Sequence, residues 1–247
     1  PTRSRLVRII MVTRSHGARD PNGRTSHRRL STCRRTSHDR PANLVRLRGM
    51  CTGAILAGGH GRRMGGQPKA LLQVGRTRIV DRQLATIRAV AKHVAIVAND
   101  RELYADLGVQ VWSDVRPGCG PLGGILTALV NASTTVTLII AGDMPFLTAN
   151  FLRFLAEAGR EVDVAIPCTP EGHQPLCAAY NQSCIAAIQH NLDAGIFKVS
   201  ELTSAVTVRE IGLNDTAALD PGGTLFFNIN TPGDYATALQ MERRHPR

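Results

Sequence analysis

The sequence predicts an α/β protein built on a mainly parallel sheet flanked by helices. From Thr52 onward, short β-rich runs alternate with helical stretches, which is the pattern of strands joined by crossover helices. The run at 136–141 is apolar enough to be buried on both faces, as the central strands of a parallel sheet are. Polar residues stand directly after several of these runs, where open sheets of this kind bind their ligands.

The order of the elements follows from this alternation. Strands are expected at 52–56, 94–98, 109–112, 136–141, 163–167, 175–180, 204–209 and 225–229. Helices fit between several of them, at 79–91, 101–106, 122–131, 149–158, 182–191 and 233–242.

The first strand leads into a glycine-rich loop, residues 56–69, that ends on a lysine. Gly58 and Gly59 have no Cβ to keep phosphate oxygens away from the backbone N–H groups, and Arg63 and Lys69 add positive charge. The loop lacks the Gly-Lys-Ser/Thr of a Walker loop, and it has a methionine where a dinucleotide fingerprint needs a third small residue. The pattern predicts a cradle for a triphosphate; a plain glycine turn with surface arginines is the alternative.

Polar residues at three strand ends are candidate ligand contacts. Asp143 follows the strand at 136–141 and is placed to hold Mg²⁺, which takes one or two protein carboxylates beside nucleotide phosphates. The alternative for Asp143 is a cap on the helix that begins near Thr148. Asn99 follows the strand at 94–98 and Asp114 follows the strand at 109–112, and a turn or cap role fits them as well as ligand contact does.

Three further motifs are candidates for the walls of the same pocket. The glycines of 120–125 open a helix and allow close approach of a ligand. Gln174 and His173 precede a strand and are candidates to face a polar acceptor, although a plain loop histidine is the alternative for His173. Asn228 and Asn230 end the last predicted strand, whose alternation places both amides on one side, toward phosphates or metal.

Charge divides the chain into two parts. Residues 1–49 contain 13 arginines and two aspartates and therefore carry the whole formal net charge of +11, while residues 50–247 are neutral by count. We expect 1–49 to be a disordered Arg-rich leader and 50–247 to be a single domain. Three explanations of this leader remain open. Its composition resembles an organelle transit peptide, and its charge suits non-specific binding of nucleic acid. Alternatively, it is upstream sequence included by a start-site choice, since Met50 directly precedes the first strand. The neutral body offers no basic face, so nucleic acid is not the expected partner.

Cysteine usage and hydropathy exclude several classes of protein. The six cysteines form no Cys-x-x-Cys pair and have no histidine at zinc spacing, so reduced thiols in a cytoplasm are expected. Cys177 and Cys184 are expected to be buried thiols on a strand and a helix rather than a disulfide. No apolar run approaches the roughly 20 residues of a membrane span.

Taken in order, five motifs resemble the molybdenum cofactor guanylyltransferase family over about residues 51–242. They are Leu-Ala-Gly-Gly-His-Gly-Arg-Arg-Met-Gly with the later lysine, Gly-Pro-Leu-Gly-Gly-Ile, Gly-Asp-Met-Pro-Phe, Gln-Pro-Leu and Phe-Asn-Ile-Asn-Thr-Pro. The opening loop alone resembles many nucleotidyltransferases. Asp-Met-Pro-Phe together with Asn-x-Asn-Thr-Pro narrows the resemblance to molybdopterin nucleotidyltransferases.

This resemblance implies a Rossmann-like, GT-A-like nucleotidyltransferase fold and a Mg²⁺-dependent transfer of GMP from GTP to molybdopterin or molybdenum-loaded molybdopterin. Its implied partners also include molybdenum-insertion and molybdoenzyme maturation proteins. Asp143 is implied as the metal ligand, and Arg63 matches the arginine of the family's phosphate loop. Contacts to GTP are implied for Leu56, Ala57, Gly58, Lys69, Asn99, Asp114 and Asp143. The acceptor side is implied for Gln174, Lys198, Asn228 and Asn230, with Lys198 standing alone where relatives often have an arginine-rich patch.

Two rival functions remain open at the level of sequence. A cytidylyltransferase of the same fold would use CTP in place of GTP, and the pattern does not resolve the base. A non-catalytic adaptor would bind nucleotide or cofactor without turnover. The joint presence of Arg63, Lys69 and Asp143 argues against the adaptor, because binding alone does not need the metal ligand.

Overall fold

Most of the described chain folds around one mixed sheet. The computed structural model describes residues 9–10, 51–58 and 67–244. The strands are β1 (Ile9–Ile10), β2 (Cys51–Leu56), β3 (Gln73–Val74), β4 (Thr77–Arg78), β5 (His93–Val97), β6 (Gln110–Trp112), β7 (Val136–Ala141), β8 (Val164–Thr169), β9 (Gly172–His173), β10 (Cys177–Asn181) and β11 (Val208–Ile211). The helices are α1 (Ile79–Arg88), α2 (Gly120–Asn131), α3 (Ala149–Ala158), α4 (Cys184–Asp193), α5 (Val199–Leu202), α6 (Leu213–Thr216) and α7 (Pro232–Arg244).

The main sheet has the strand order β1-β11-β8-β10-β7-β2-β5-β6. Strands β7, β2, β5 and β6 run parallel to one another, and β8 runs parallel to β11. Strand β10 is antiparallel to both of its neighbours, and β1 is antiparallel to β11. Strand β9 pairs with β8 outside this order, while β3 and β4 form a separate hairpin. A mainly parallel sheet flanked by helices confirms the predicted α/β class.

Several predicted elements agree closely with the structure. The strands expected at 52–56, 94–98, 109–112, 136–141 and 163–167 correspond to β2, β5, β6, β7 and β8, and the helix expected at 149–158 is α3. The side chains of β7 explain why its sequence was informative. Leu138 and Ile140 pack into the cluster on one face of the sheet, while Ile139 packs into the cluster on the other. A strand that is covered on both faces has a nearly continuous apolar sequence, without the alternation of apolar and polar residues that marks a half-exposed strand.

Other boundaries were wrong, because local turns determine them. The strand expected at 175–180 begins at Cys177, whose N–H donates to Gln174 O and closes a turn. The strand expected at 204–209 is β11, which begins at Val208 after the turn that follows α5. The helix expected at 101–106 is a 3₁₀ helix, Glu102–Leu107. Helices α5 and α6 and the hairpin of β3 and β4 were not predicted.

The strand expected at 225–229 is absent from the described sheet. Leu225 and Ile229 are buried, so the apolar character of this run reflects packing against the core rather than pairing within the sheet. Its backbone contact to the site is a single hydrogen bond from Ile229 N to Asp143 O, 3.0 Å long. That bond places the segment beside the end of β7 without adding a strand.

Helices cover both faces of the sheet. Helices α1 and α3 pack on one face through residues such as Leu84 and Phe151, and α2 and α4 pack on the other through residues such as Leu126 and Ile188. Helix α7 lies over a third cluster that includes Ile79 and Ala238. The parallel strands β2, β5, β6 and β7 therefore end at one edge between these layers, and that edge positions the site.

The described cysteines are free thiols, as predicted. Cys177 lies on β10 and Cys184 begins α4, and both are buried. Cys33 lies outside the described residues. Within the described part of the chain, no helix combines the length and apolar character needed to cross a bilayer.

Candidate functional site

A cavity of about 710 Å³ opens at the carboxyl ends of the parallel strands. It is lined by residues from the ends of β2, β5 and β7, from the start of α2 and from the segment before α7. Eight of the residues predicted from the sequence line it together: Leu56, Ala57, Gly58, Lys69, Asn99, Asp114, Asp143 and Asn230. Segments that are far apart in the chain thus converge at the place that the strand-end argument predicted.

Backbone hydrogen bonds hold the strand ends in register beyond the last ladder residues. Ala57 N donates to Val97 O, at 3.0 Å, and Gly142 N donates to Leu56 O, at 2.9 Å. The buried Tyr104 donates its hydroxyl to Ala57 O, at 3.1 Å. The first residues after β2 are therefore fixed from two sides.

Gly142 allows the end of β7 to approach β2 closely. A Cβ at this position would lie 3.1 Å from the Cβ of Ala70 and 3.2 Å from Leu56 O. Both distances are tighter than ordinary carbon contacts, and one neighbour is backbone, which yields little. Glycine therefore lets β7 and β2 approach this closely without a shift of a few tenths of an ångström in the residues around Asp143.

Lys69 connects the carboxylate of Asp143 on one wall of the cavity with the amide of Asn230 on another. Its Nζ donates to Asp143 Oδ2, at 3.1 Å, and to Asn230 Oδ1, at 2.5 Å. The side chains of Lys69 and Asp143 are 26% and 18% exposed, so the ion pair lies partly inside the cavity. A phosphate or a cation that enters from solvent can reach both charges.

Asn230 is held by the start of α7. Asp234 Oδ2 accepts hydrogen bonds from the N–H groups of Asn230 and Thr231, at 2.9 and 2.8 Å, and Thr231 Oγ1 accepts from Asp234 N. This is a capping arrangement in which two side chains satisfy the free backbone donors of the helix start. The backbone hydrogen bonds from Asn230 and Thr231 hold the pKa of Asp234 below its ordinary value, and the charge of Lys69 acts in the same direction.

Asn99 and Asp114 form a reciprocal pair at the far wall. Asn99 Nδ2 donates to Asp114 Oδ2, and Asp114 N donates to Asn99 Oδ1, both at 3.0 Å. The turn role that the sequence left open is therefore present. Both residues also line the cavity, and their contact with a ligand stays a prediction.

Two alternatives from the sequence analysis are decided by these contacts. The cap of α3 is Thr148, whose Oγ1 accepts from Phe151 N at 3.3 Å, so Asp143 does not serve as that cap. His173 lies on β9, and its Nε2 is 2.8 Å from Glu210 Oε1 on β11, away from the cavity lining. The glycine-rich start of α2 does contribute a wall, through Gly120 and Gly124.

Three expected acceptor residues do not line the cavity. Gln174 donates through Nε2 to Thr169 Oγ1, at 3.0 Å, and Lys198 precedes α5. The expectation that Asn228 and Asn230 share one side was wrong, because the segment is not a strand and the alternation of side chains does not apply. Asn230 lines the cavity, whereas Asn228 Oδ1 is buried with no hydrogen-bond partner among the described residues. Gly59 and Arg63 lie outside the described residues.

Several lining residues were not predicted as site residues. Small or apolar side chains complete the walls of the cavity: Ala70, Val97, Ala141, Gly142 and Leu176. They carry no chemical signal of their own, since a small apolar residue near a strand end is common. Their contribution is shape, because they leave room for a ligand and exclude water from its apolar parts.

The donors at this site suit a hard divalent cation that is bound partly through a ligand. In the described residues no group of three or more His, Cys, Asp or Glu side chains forms a complete metal site. Asp143 offers a carboxylate and Asn230 an amide oxygen on the same cavity, and oxygen ligands of this kind fit Mg²⁺. Since Mg²⁺ usually keeps several waters and shares nucleotide phosphates, one or two protein oxygens are sufficient.

The buried thiols are not candidates for nucleophiles. Burial raises the pKa of Cys51 to about 11 and that of Cys184 to about 12, and it raises the pKa of Cys177 as well. These three groups stay protonated at neutral pH, whereas a reactive cysteine needs its thiolate. None of the three lines the cavity.

Comparison with known proteins gives a consistent picture. The family model described as "MobA-like NTP transferase domain" matches residues 53–206. The chain is 40% identical over 190 residues to the "Probable molybdenum cofactor guanylyltransferase" of Pelotomaculum thermopropionicum, which covers 77% of this chain and 92% of that protein. It is 33% identical over 181 residues to the "Molybdenum cofactor guanylyltransferase" of Desulfosudis oleivorans, which covers 73% of this chain and 90% of that protein.

Solved structures agree with these relatives. The crystal structure of molybdopterin-guanine dinucleotide biosynthesis protein A from Archaeoglobus fulgidus superposes with a TM-score of 0.67 at 25% identity, covering 78% of this chain and 99% of that one. A 2-C-methyl-D-erythritol 4-phosphate cytidylyltransferase from Thermus thermophilus has a TM-score of 0.58 at 18% identity, covering 77% of this chain and 98% of that one. At that identity the likeness is one of fold.

Proposed function

Because the chain belongs to the MobA-like NTP transferase family, we propose that it is a molybdenum cofactor guanylyltransferase. It transfers GMP from GTP to the terminal phosphate of molybdopterin, with or without molybdenum bound, and releases pyrophosphate. The observation that carries this proposal is the convergence of Gly58, Lys69 and Asp143 on one cavity.

The nucleotide is assigned to the part of the cavity between the ends of β2, β5 and β6. Leu56 and Ala57 line the cavity where β2 ends, and the open space at Gly58 lets a phosphate approach its N–H. Asn99 and Asp114 line the other wall, where their amide and carboxylate would contact the nucleoside. A cavity of about 710 Å³ is within the size range of small-molecule sites.

Asp143 is the proposed ligand of a Mg²⁺ ion. When bound, the ion would neutralise negative charge on the phosphates of GTP and on the departing pyrophosphate. Lys69 is the proposed second positive charge, since its Nζ lies beside the Asp143 carboxylate in the same cavity, where it would contact the same phosphates. Arg63 is proposed as a further cation of the phosphate loop.

The reaction needs position and charge more than proton transfer. A phosphate oxygen of molybdopterin forms a bond to the α-phosphorus of GTP, the bond between that phosphorus and the bridging oxygen breaks, and pyrophosphate leaves with the electron pair. A phosphate monoester is already largely ionised at neutral pH, so it attacks without a dedicated base. The work of this chain is to hold the two substrates in line and to stabilise the growing charge through Lys69.

Asn230 is the one expected acceptor-side residue that lines the cavity, so the acceptor is assigned to its side of the site. Proteins that insert molybdenum and proteins that mature molybdoenzymes are proposed as the partners that act before and after this step. The supply of GTP and the free thiols fit a reaction in the cytoplasm.

The direct test is an assay of labelled GTP with purified molybdopterin and Mg²⁺ that follows both pyrophosphate and the guanylated product. We expect both products in equal amounts, and none when Mg²⁺ is replaced by a chelator. A parallel reaction with CTP decides the base: product from CTP alone would overturn the guanylyl assignment in favour of the cytidylyl one. Tight binding of GTP without either product would instead identify a non-catalytic adaptor.

A further inference from the structure

Gln83 is a polar side chain in the apolar face of α1. It is 2% exposed, and buried apolar residues surround it in the helix: Ile79, Val80, Leu84 and Ile87. An amide is costly to bury unless hydrogen bonds compensate for the lost water. We therefore expect the buried amide of Gln83 to have hydrogen-bond partners within the core.

The amide of Gln83 bonds to the turn that carries Asp143. Its Nε2 donates to Ala141 O, at 2.6 Å, and to Met144 O, at 3.0 Å. Because a carboxamide NH₂ has two hydrogens, it can serve both carbonyls at once, which an ionised carboxylate of the same size cannot do. The two carbonyls stand on either side of Asp143, so one side chain ties together both ends of the turn.

The other atom of the same amide shows that these bonds come at a cost. Gln83 Oε1 is buried and has no hydrogen-bond partner among the described residues. A buried acceptor without a partner destabilises a protein, because it loses its hydrogen bonds to water and gains none in return. An apolar side chain would fill the space without that cost but would remove the donor that the two carbonyls share.

We propose that Gln83 is a positioning residue for the reaction. Its amide fixes the turn at 141–144 and so keeps the Asp143 carboxylate in place beside Lys69 and the metal. Backbone bonds hold the turn from the other directions, through Gly142 N to Leu56 O and Ile229 N to Asp143 O. This role rests on the proposed function, since it matters for catalysis only if Asp143 holds the metal.

The test compares Gln83→Met, which has nearly the same volume and no donor, with Ile87→Ala. Ile87 lies one turn further along the same helix, where its side chain meets Gly53 in β2, away from the cavity. Hydrogen exchange of the 141–147 segment in the free protein reads the turn directly. We expect faster exchange in Gln83→Met, and exchange like the wild type in Ile87→Ala despite its loss of core packing.

The second measurement is binding of Mn²⁺ in the presence of GTP, followed by electron paramagnetic resonance. Loss of a residue that orients a metal ligand typically weakens metal affinity about 10- to 100-fold, and we expect that range for Gln83→Met, with a similar fall in kcat and a smaller change in KM for GTP. Ile87→Ala should keep the affinity of the wild type. If Gln83→Met does not fold, Gln83→Asn serves instead, because it keeps the amide but is one methylene too short to reach both carbonyls.

The outcomes separate this inference from the proposed function. A folded Gln83→Met or Gln83→Asn protein with unchanged exchange and Mn²⁺ affinity would overturn the positioning role, as would the same losses in Ile87→Ala. A wild-type protein that binds Mn²⁺ and GTP but forms no product would overturn the reaction and leave the positioning of Asp143 standing. A wild-type protein that binds no Mn²⁺ with GTP would overturn both.

Discussion

Lys69 and Asp143 are 74 positions apart in the chain, yet Lys69 Nζ lies 3.1 Å from Asp143 Oδ2. The lysine ends the glycine-rich loop and begins the short 3₁₀ turn Lys69–Leu71, and the aspartate follows β7. The sheet brings them together because β2 and β7 are parallel neighbours that end at the same edge. In the proposed reaction this pair exchanges its mutual contact for contacts with phosphates and metal.

Removal of either charge should stop most of the turnover. We expect Lys69→Ala and Asp143→Ala each to lower kcat by a factor on the order of 100 or more, the effect of losing one strong electrostatic contact in a preorganised site. The double variant should be little worse than either single one, because the two residues act as a unit. Steady-state pyrophosphate release measures this. Glu157→Gln, which alters an exposed ion pair on α3, is the control, and an Asp143→Ala enzyme with full activity would contradict the assignment.

The pair of Asn99 and Asp114 should affect binding more than chemistry. Asp114→Ala removes a cavity carboxylate and the acceptor for Asn99 Nδ2, while the bond from the backbone N–H of residue 114 to Asn99 Oδ1 remains. We therefore expect KM for GTP to rise about tenfold with little change in kcat. Initial rates at varied GTP concentration separate the two constants. Asp193→Ala removes an exposed carboxylate that pairs with Arg116, and it should leave KM unchanged. An equal fall of kcat in Asp114→Ala would place this residue with the reacting phosphates instead.

Gly142→Ala should impair catalysis through the backbone alone. The new Cβ would lie 3.1 Å from the Cβ of Ala70, so Ala70 and the turn that carries Asp143 must move apart by a few tenths of an ångström. We expect kcat to fall about tenfold or more, since small misplacements of a catalytic group are costly. Gly212→Ala is the matched control, because its Cβ would meet nothing closer than an oxygen at 3.8 Å. Equal activities in the two variants would show that the turn tolerates the shift.

The hydropathy pattern of short segments predicted the elements whose burial follows directly from that pattern. Strand β7 could be predicted because both of its faces are covered, which leaves a continuous apolar run, and Asp143 stood out because it ends that run. The run at 225–229 looked similar but is no strand, since the same apolar residues also suit a segment that lies over the core. An apolar sequence pattern indicates that a segment is buried, but it does not indicate whether the segment pairs within the sheet or packs over the core.

The relationships within the site needed the structure. In the sequence, Gln83 stands at a position of α1 where the helical periodicity predicts an apolar residue, and this was the available signal for its role. Its partners, Ala141 O and Met144 O, are about 60 positions away and are backbone atoms, which leave no trace in residue type. The loss of Asn228 from the predicted site has the same origin, since the alternation rule holds only within a strand.

The contact between α1 and α7 should dominate the stability of the C-terminal helix. Arg82 donates to both carboxylate oxygens of Glu242, at 2.5 and 2.8 Å, and the side chains are only 11% and 10% exposed. Glu242→Ala leaves the guanidinium nearly buried without its counter-ion, so we expect a loss of about 3–5 kcal/mol in the free energy of unfolding.

Urea unfolding followed by circular dichroism measures this loss. Glu157→Ala is the control, because its ion pair with Arg160 is about half exposed on both sides and should be worth less than about 1 kcal/mol. Similar losses in the two variants would mean that the burial of the Arg82–Glu242 pair does not decide its contribution.

Asp163 should make stability depend on pH in acid. It precedes β8 and accepts hydrogen bonds from Ser183 Oγ, Thr207 N and Thr207 Oγ1. Burial alone would raise the pKa of Asp163, but these hydrogen bonds outweigh it and hold the pKa below its ordinary value of 3.8. The folded state therefore binds the proton less readily than the unfolded chain does. The contribution is complete above pH 3.8 and is lost as the pH falls through the lowered pKa.

The variant Asp163→Asn tests this linkage. We expect it to be about 1–2 kcal/mol less stable than the wild type at pH 7, because hydrogen bonds to a charged acceptor are lost, and the difference should shrink as the pH falls below 3.8. Thr207→Val removes one donor and keeps the carboxylate, so it should show a smaller difference over the same range of pH. Urea unfolding of the three proteins between pH 7 and pH 3 measures both effects. A difference between wild type and Asp163→Asn that stays constant down to pH 3 would show that the charge of Asp163 contributes nothing.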